Sequence, residues 1–371
     1  MFSIVKRVTN PDPAVPQKAS DAVRVGLLGA SRICLQSVIG PARSLESVIV
    51  HAVAARDGAR AVAFAQKHDI PKSYGDYESL LADPDVDVIY IALPNSLHAE
   101  WTIKALQAKK NVLVEKPAAS NAVEAAAIKR ELDANPGLIV CENYHNLFHP
   151  ALRRLRDIVA SGILGTIRTA SAVINVPNLF GMEDIRFKYS LAGGINMDLG
   201  CYALSALRFC LASEPTRVLS AVPTIVKDNI DGAMEAQLEF DSGCIATYQV
   251  SMIRSMPSFL WNEKPKLHVI GEKGSVSMSI FIMPHVYHRI VLDIQGGPCT
   301  TETVYEDGHT SYWYSLSAMA AAVRADAKAM ARPNFPFEWS INNQKGVDMV
   351  YTAASMPLRG KVAPWTQMNA L

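Results

Sequence analysis

The sequence predicts an α/β protein: a doubly wound parallel sheet followed by an α+β domain with a large, mostly antiparallel open sheet. Two observations carry this expectation. From Val23 to Cys141, short and nearly continuous apolar runs alternate with helical segments, the pattern of strands covered on both faces. Beyond about residue 150 the texture changes to alternating strands separated by glycine turns. The length of 371 residues accommodates two domains at roughly 150 residues each.

In the first half, strands are expected at 23–28, 48–55, 86–93, 111–114 and 138–141. Helices are expected at 57–68, 77–81, 99–108 and 120–132, with Asp57 and Ser120 as N-caps. In the second half a helix at 150–161 precedes a strand at 167–176 and a helix at 194–211. Strands follow at 216–222, 233–240, 244–251, 266–270, 275–280 and 289–294, turning at Gly243, Gly271 and Gly274. Helices at 312–330 and 341–356 complete the pattern. The division expected is an arm over 1–22, a cofactor domain over 23–145 and a substrate and oligomerisation domain over 146–371.

Composition excludes several classes. Thirty-six basic residues balance 35 acidic ones, with no basic run, so affinity for nucleic acid has no source. No apolar stretch reaches the about 18 residues of a membrane helix. Lys6 and Arg7 stand where a signal peptide needs its apolar run, and Pro11, Pro13 and Pro16 suggest an extended arm. The six cysteines are scattered and fit packing thiols in a reducing compartment, so the cytoplasm is the expected location.

The first strand runs into Gly26-Leu-Leu-Gly29-Ala30-Ser31-Arg32-Ile33-Cys34. After the first strand of a βαβ unit, such a turn presents backbone N–H groups to a dinucleotide pyrophosphate. Ser31 and Cys34 replace the second and third glycines of the usual pattern, and both are small. The second strand ends Ala54-Ala55-Arg56. A guanidinium there suits a ribose 2′-phosphate and therefore NADP, with NAD still possible, while Asp57 serves as a helix cap.

Two further turns border the same crevice at strand ends: Leu93-Pro94-Asn95-Ser96-Leu97-His98 and Glu115-Lys116-Pro117. Pro117 constrains how Lys116 projects, with a cis bond open to it. A second Glu-Lys-Pro, at 263–265, reads as a surface turn, so strand context and not the tripeptide gives Lys116 its meaning. His145 and His149 are four apart, but Pro150 ends the run and no metal is expected. Tyr144 or His145 is expected to touch nicotinamide or substrate. Arg186 and Tyr189, before a glycine pair, either line the pocket or sit on a plain surface loop.

With GLLGASRI at 26–33, PNSLH at 94–98, VEKP at 114–117 and GGINMDLGCY at 193–202, the chain resembles the Gfo/Idh/MocA family from Val23 to about Pro364. The resemblance implies a Rossmann domain, a second domain whose sheet often forms the subunit interface, and a catalytic lysine at Lys116. Many members carry histidine four residues after the aspartate matching Asp198; here Tyr202 stands instead. That resembles the tyrosine-using branch of dimeric dihydrodiol dehydrogenase and D-xylose 1-dehydrogenase. Arginine, frequent in the family, is replaced by Leu147. The expected function is hydride transfer between NADP and a sugar or cyclic diol. Tyr202, assisted by Lys116, would move the proton, and Asp198 would hold a hydroxyl. A biosynthetic carbonyl or imine reductase and a non-catalytic NADP sensor are the alternatives.

Overall fold

The structure, a computed structural model, describes residues 17–254, 266–325 and 335–360. The arm before residue 17 and the second Glu-Lys-Pro therefore lie outside the described residues. Six parallel strands form the first sheet: β1 (Val23–Leu28), β2 (Val48–Ala54), β3 (Lys72–Tyr74), β4 (Val88–Ile91), β5 (Asn111–Val114) and β6 (Val140–Glu142). Their order is β3-β2-β1-β4-β5-β6, so the winding reverses between β1 and β4. That reversal opens a crevice at the carboxyl ends of the strands, where ligands bind in sheets of this kind.

The helices of this half are α1 (Gly40–Ser44), α2 (Gly58–His68), α3 (Tyr77–Ala82), α4 (His98–Gln107) and α5 (Ala122–Asp133). Asp57 caps α2 as expected, accepting from Ala59 N at 3.0 Å and Arg60 N at 3.3 Å. The cap of α5 is Asn121 and not Ser120: Asn121 Oδ1 accepts from Glu124 N, and the Glu124 carboxylate reaches back to Ser120 N.

After α6 (Pro150–Ala160), β7 (Ile167–Pro177) and α7 (Cys201–Leu211), the second sheet adds β8 (Pro215–Lys227), β9 (Ile230–Phe240) and β10 (Ile245–Arg254). It continues with β11 (Lys266–Gly271), β12 (Gly274–Ser279), β13 (Ile290–Ile294) and β14 (Thr300–Glu302). The eight strands run β14-β13-β12-β11-β7-β10-β9-β8, antiparallel except where β7 meets β10. Met234, Ala236, Leu238 and Phe240 alternate inward from β9 onto a core shared with α6 and α7.

The last helices, α8 (Ser311–Val323) and α9 (Phe337–Ala353), do not stay with the second sheet. Leu316, Met319 and Ala320 of α8 pack into the core over β1 and β2. Phe337 joins the other face of the parallel sheet, while Val347 and Val350 of α9 join the second core. Both halves are thereby fastened around the crevice. Among the described residues, no helix is long and apolar enough to cross a membrane.

Candidate active site

The loop after β1 is shaped by Gly29, whose φ is +108°. A Cβ there would lie 3.0 Å from Leu93 Cδ2 and 3.1 Å from Ala92 O, so only glycine lets the loop lie against the end of β4. Ser31 N donates to Gly29 O, and the buried Cys34 thiol lies 3.4 Å from the same carbonyl. Burial pushes that thiol up to about 12, so it packs and does not react. Ile33 is partly buried against the same core. A wide turn over Leu35–Ile39 follows before α1 begins.

Arg32, Arg56 and Arg60 are exposed around this loop, and Arg60 Nη2 donates to Ala30 O at 2.8 Å. The Asp57 carboxylate, next to Arg56 in the chain, is turned to the N-terminus of α2. A cationic rim beside a glycine cradle fits a phosphorylated dinucleotide. Arg60 had no signal in the sequence; only the winding of α2 brings it back to the loop.

The Leu93–His98 turn is built around His98. The ring is buried, with Nδ1 2.7 Å from Pro117 O and Nε2 2.8 Å from Leu93 O. Both nitrogens face backbone carbonyls, so His98 ties two crevice turns together. Asn95 Nδ2 donates to Ala192 O across the crevice, and Pro94 carries the turn between them. Glu115 is likewise structural: its Oε1 accepts from Ser37 Oγ at 3.0 Å, Tyr90 Oη at 2.6 Å and Asn143 Nδ2 at 2.7 Å. Three donors from three separate segments fix the strand end from which Lys116 leaves, and the Lys116–Pro117 bond is cis.

Lys116 points at the second half. Its Nζ donates to Asp198 Oδ1 at 2.6 Å and to Asp198 O at 2.8 Å, and lies 4.7 Å from the Tyr202 ring centroid. Asp198 Oδ2 accepts from Arg186 Nε at 2.9 Å. Burial alone would raise the Asp198 pKa, but Lys116 and Arg186 overcome it and hold the carboxyl at about 2. Burial also opposes the Lys116 charge; Asp198 outweighs it and raises the ammonium above its ordinary value.

Asp198 sits in a wide helical turn, Asn196–Gly200, that precedes α7. Gly200 is required there, because a Cβ would overlap Asn196 Oδ1. The Asn196 backbone N–H donates to Asp231 Oδ2, and its side chain accepts from Tyr248 Oη. The spacing of Asp198 and Tyr202 does place both beside Lys116. The ammonium does not favour a Tyr202 phenolate in this arrangement. It lies over the ring face and is committed to Asp198, while burial, then Tyr312 and Glu115, push the phenol well above its ordinary value. Tyr202 holds its proton in this state.

Tyr144 and His145 both touch Tyr202 edge to face, at ring centroid distances of 5.5 Å and 5.7 Å. Tyr144 Oη accepts from Asn343 Nδ2, which makes Tyr144 a wall behind Tyr202. His145 stacks on Tyr312 at 3.8 Å. Tyr312, from the first turn of α8, is a site residue the sequence did not reveal, since only the return of α8 brings it here. Tyr189 is placed elsewhere: its hydroxyl donates to Leu358 O and its ring packs near Arg359. Leu147, which stands where the family often has arginine, is fully buried in the core.

Fold and site together define an oxidoreductase, and comparison identifies the family. Residues 23–143 match the oxidoreductase family with an NAD-binding Rossmann fold, and residues 152–277 match the GFO/IDH/MocA C-terminal domain. The chain belongs to the Gfo/Idh/MocA family. It is 39% identical over 330 residues to D-xylose 1-dehydrogenase (NADP(+)) 2 of Haloferax volcanii, covering 89% of this chain and 96% of that one. It is 34% identical over 260 residues to trans-1,2-dihydrobenzene-1,2-diol dehydrogenase of Mus musculus, covering 68% and 73%. A 3-ketoreductase from Actinomadura kijaniata, solved with NADP and TDP-benzene, superposes with a TM-score of 0.79 at 26% identity, over 92% of this chain and all of that one.

Proposed function

We propose that the chain is an NADP-dependent oxidoreductase that transfers hydride between nicotinamide and a CH–OH group of a sugar, an aldose such as D-xylose first. The Lys116–Asp198–Tyr202 cluster beside the Gly29 loop carries this reading. The NADP preference rests on Arg32, Arg56 and Arg60 around that loop, and is supported by the relatives described as NADP-dependent or solved with NADP.

Bound NADP supplies the hydride acceptor, or as NADPH the donor. The residues of the chain bind, orient and move the proton. Lys116 places two N–H groups on Asp198 and keeps the third for a substrate oxygen. Asp198, ionised between two cations, keeps free lone pairs for a second substrate hydroxyl. Tyr202 carries the proton: it delivers it to a carbonyl oxygen during reduction and takes it from a hydroxyl during oxidation. A neutral phenol in a dry wall is ready to donate, which favours carbonyl reduction as the second reading. An idle sensor would need neither the Lys116–Asp198 pair nor Tyr202 beside it.

The outer face of the second sheet carries exposed Leu219, Val222, Ile225, Ile253 and Ile270. Such a patch supports a homodimer through this sheet, and cytoplasmic location agrees with the cysteine content. The experiment is a screen of aldoses with NADP, and of ketones and imines with NADPH, followed at the reduced-nicotinamide absorbance. Turnover of aldoses supports the first reading and turnover of carbonyls alone the second. Cofactor binding without any turnover defeats both.

A further inference from the structure

The Lys116–Asp198 contact joins the two walls of the crevice, and each partner sits on a short turn. Their separation depends on what fastens one turn to the other. Behind both lies Arg359, a fully buried residue of the segment that follows α9.

The Arg359 side chain grips the Asp198 wall. Its Nε donates to Gly193 O at 2.6 Å, and Nη2 donates to Asp231 Oδ1 at 2.8 Å and to Asn229 O at 2.9 Å. Nη1 completes the fork on Pro357 O at 2.7 Å. The equally buried Asp231 carboxylate extends the hold: Oδ2 accepts from Asn196 N at 2.7 Å, and Oδ1 also accepts from Tyr351 Oη at 3.0 Å. The ion pair thus closes on the backbone at Gly193 and again at Asn196. Between these points Gly194 O accepts from Asp198 N, and Gly194 N donates to Arg186 O. The turn therefore carries both the carboxylate and the arginine paired with it. Gly194 has a φ of +127°, and a Cβ there would overlap Asp231 Oδ1, so only glycine lets the turn rest on the pair.

The main chain of the same residue grips the Lys116 wall. Arg359 O accepts from Asn121 Nδ2 at 2.8 Å, and Asn121 caps α5 at the end of the segment that leaves Lys116. That segment is pinned on its way: Pro117 O faces the His98 ring, and Ala118 N donates to Glu142 Oε1. Gly360 follows with a φ of +85°, where a Cβ would lie 2.6 Å from Ser120 Cβ and 2.9 Å from Asn121 Nδ2. A buried ion pair contributes little net stability over apolar residues of the same shape, whereas a planar fork fixes direction.

We propose that Arg359 is a positioning residue, which locks the Asp198 turn to the Lys116 segment and so sets the Lys116–Asp198 contact. The catalytic consequence rests on the proposed role of that pair in hydride transfer. Arg359 touches neither substrate nor cofactor in this account; it acts through Asp198 and Lys116.

Two variants test the lock. Arg359→Lys keeps a cation beside Asp231 but loses the fork that reaches Gly193 O, Asn229 O and Pro357 O together. Asn121→Ser is gentler: it keeps a capping oxygen for Glu124 N and removes the amide donor to Arg359 O. The first readout needs no substrate. Carbon-13 titration of the Asp198 carboxyl, assigned against Asp198→Asn, should give about 2 in the wild type, where Lys116 and Arg186 hold it. In both variants it is expected to move toward the ordinary aspartate value of about 4, because the turn no longer keeps the carboxylate on its cations. In turnover, kcat should fall about tenfold or more while the NADP dissociation constant holds. A purely structural role would lower the melting temperature and leave Asp198 at about 2 in the folded variants; that result overturns the proposal. Should neither variant fold, amide hydrogen exchange of the wild type decides: Asn196 and Asp198 are expected to exchange as slowly as the inward residues of β9, and fast exchange at either overturns the lock. A wild-type protein that turns over no sugar or carbonyl would instead defeat the proposed function, and the carboxyl titration would still decide the positioning.

Discussion

At the scale of single residues, the site is a ladder of alternating charge, Lys116–Asp198–Arg186, with the Tyr202 phenol beside it. Lys116→Ala and Tyr202→Phe should each lower kcat by roughly 10²-fold or more while the NADP dissociation constant holds, checked by steady-state kinetics and cofactor fluorescence. Asp198→Asn leaves two buried cations facing each other and should cost on the order of 3 kcal/mol of stability in denaturant titration. Because the folded pKa of Asp198, about 2, lies below that of an unfolded aspartate, its stabilisation is present above about pH 4 and is lost as pH falls toward 2. Acid titration of the Asn variant should lack that component. The sequence made Lys116 legible through its strand end. Asp198 and Tyr202 became legible through resemblance and spacing. Tyr312 and Arg60 were not, because nothing local marks a residue that only tertiary return brings to the crevice. His98 and Glu115 were legible as crevice residues, but their partners are backbone and neutral side chains, which no motif announces.

At the scale of elements, the strands and helices of the first half follow their apolar periodicity to within a few residues. The exceptions have simple causes. β3 and β14 have only three residues each, and their sequences Lys-Ser-Tyr and Thr-Thr-Glu carry no apolar run to mark them. The wide turns at 35–39 and 196–200 depend on ring closure and close glycine contact, not on pattern. At the end of β2, Arg56→Ala should reduce the preference for NADP over NAD by about tenfold or more in kcat/KM ratios; an unchanged ratio would move the recognition to Arg32 or Arg60. At the end of β6, burial raises the Glu142 carboxyl to about 7, although Ala118 N donates to it. A raised carboxyl pKa favours the protonated fold, so stability falls as pH rises from about 4.5 to 7. Glu142→Gln keeps the acceptor for Ala118 N and should gain about 2 kcal/mol at pH 8, with little change near pH 4, in thermal or urea unfolding.

At the scale of the whole molecule, the parallel sheet supplies the crevice and the second sheet supplies its far wall. The alternation of strands and helices made the first legible, and the shift to turn-separated strands made the second legible. The parallel pairing of β7 with β10 was hidden, since strand direction across a long connection leaves no mark in local sequence. So was the return of α8 to the first core, which fastens both walls of the site. If the open sheet face joins two copies, Val222→Lys with Ile225→Glu should convert a dimer to a monomer in sedimentation velocity; wild-type monomer would contradict that arrangement.

The central claim is that Lys116, Asp198 and Tyr202 serve NADP-linked hydride transfer on a sugar. Its most direct measurement is NADP reduction by D-xylose and a panel of aldoses, for the wild-type protein and Tyr202→Phe in parallel. Aldose-dependent reduction is expected of the wild type, with near-complete loss in the variant despite full NADP binding. Equal rates in both proteins would contradict it.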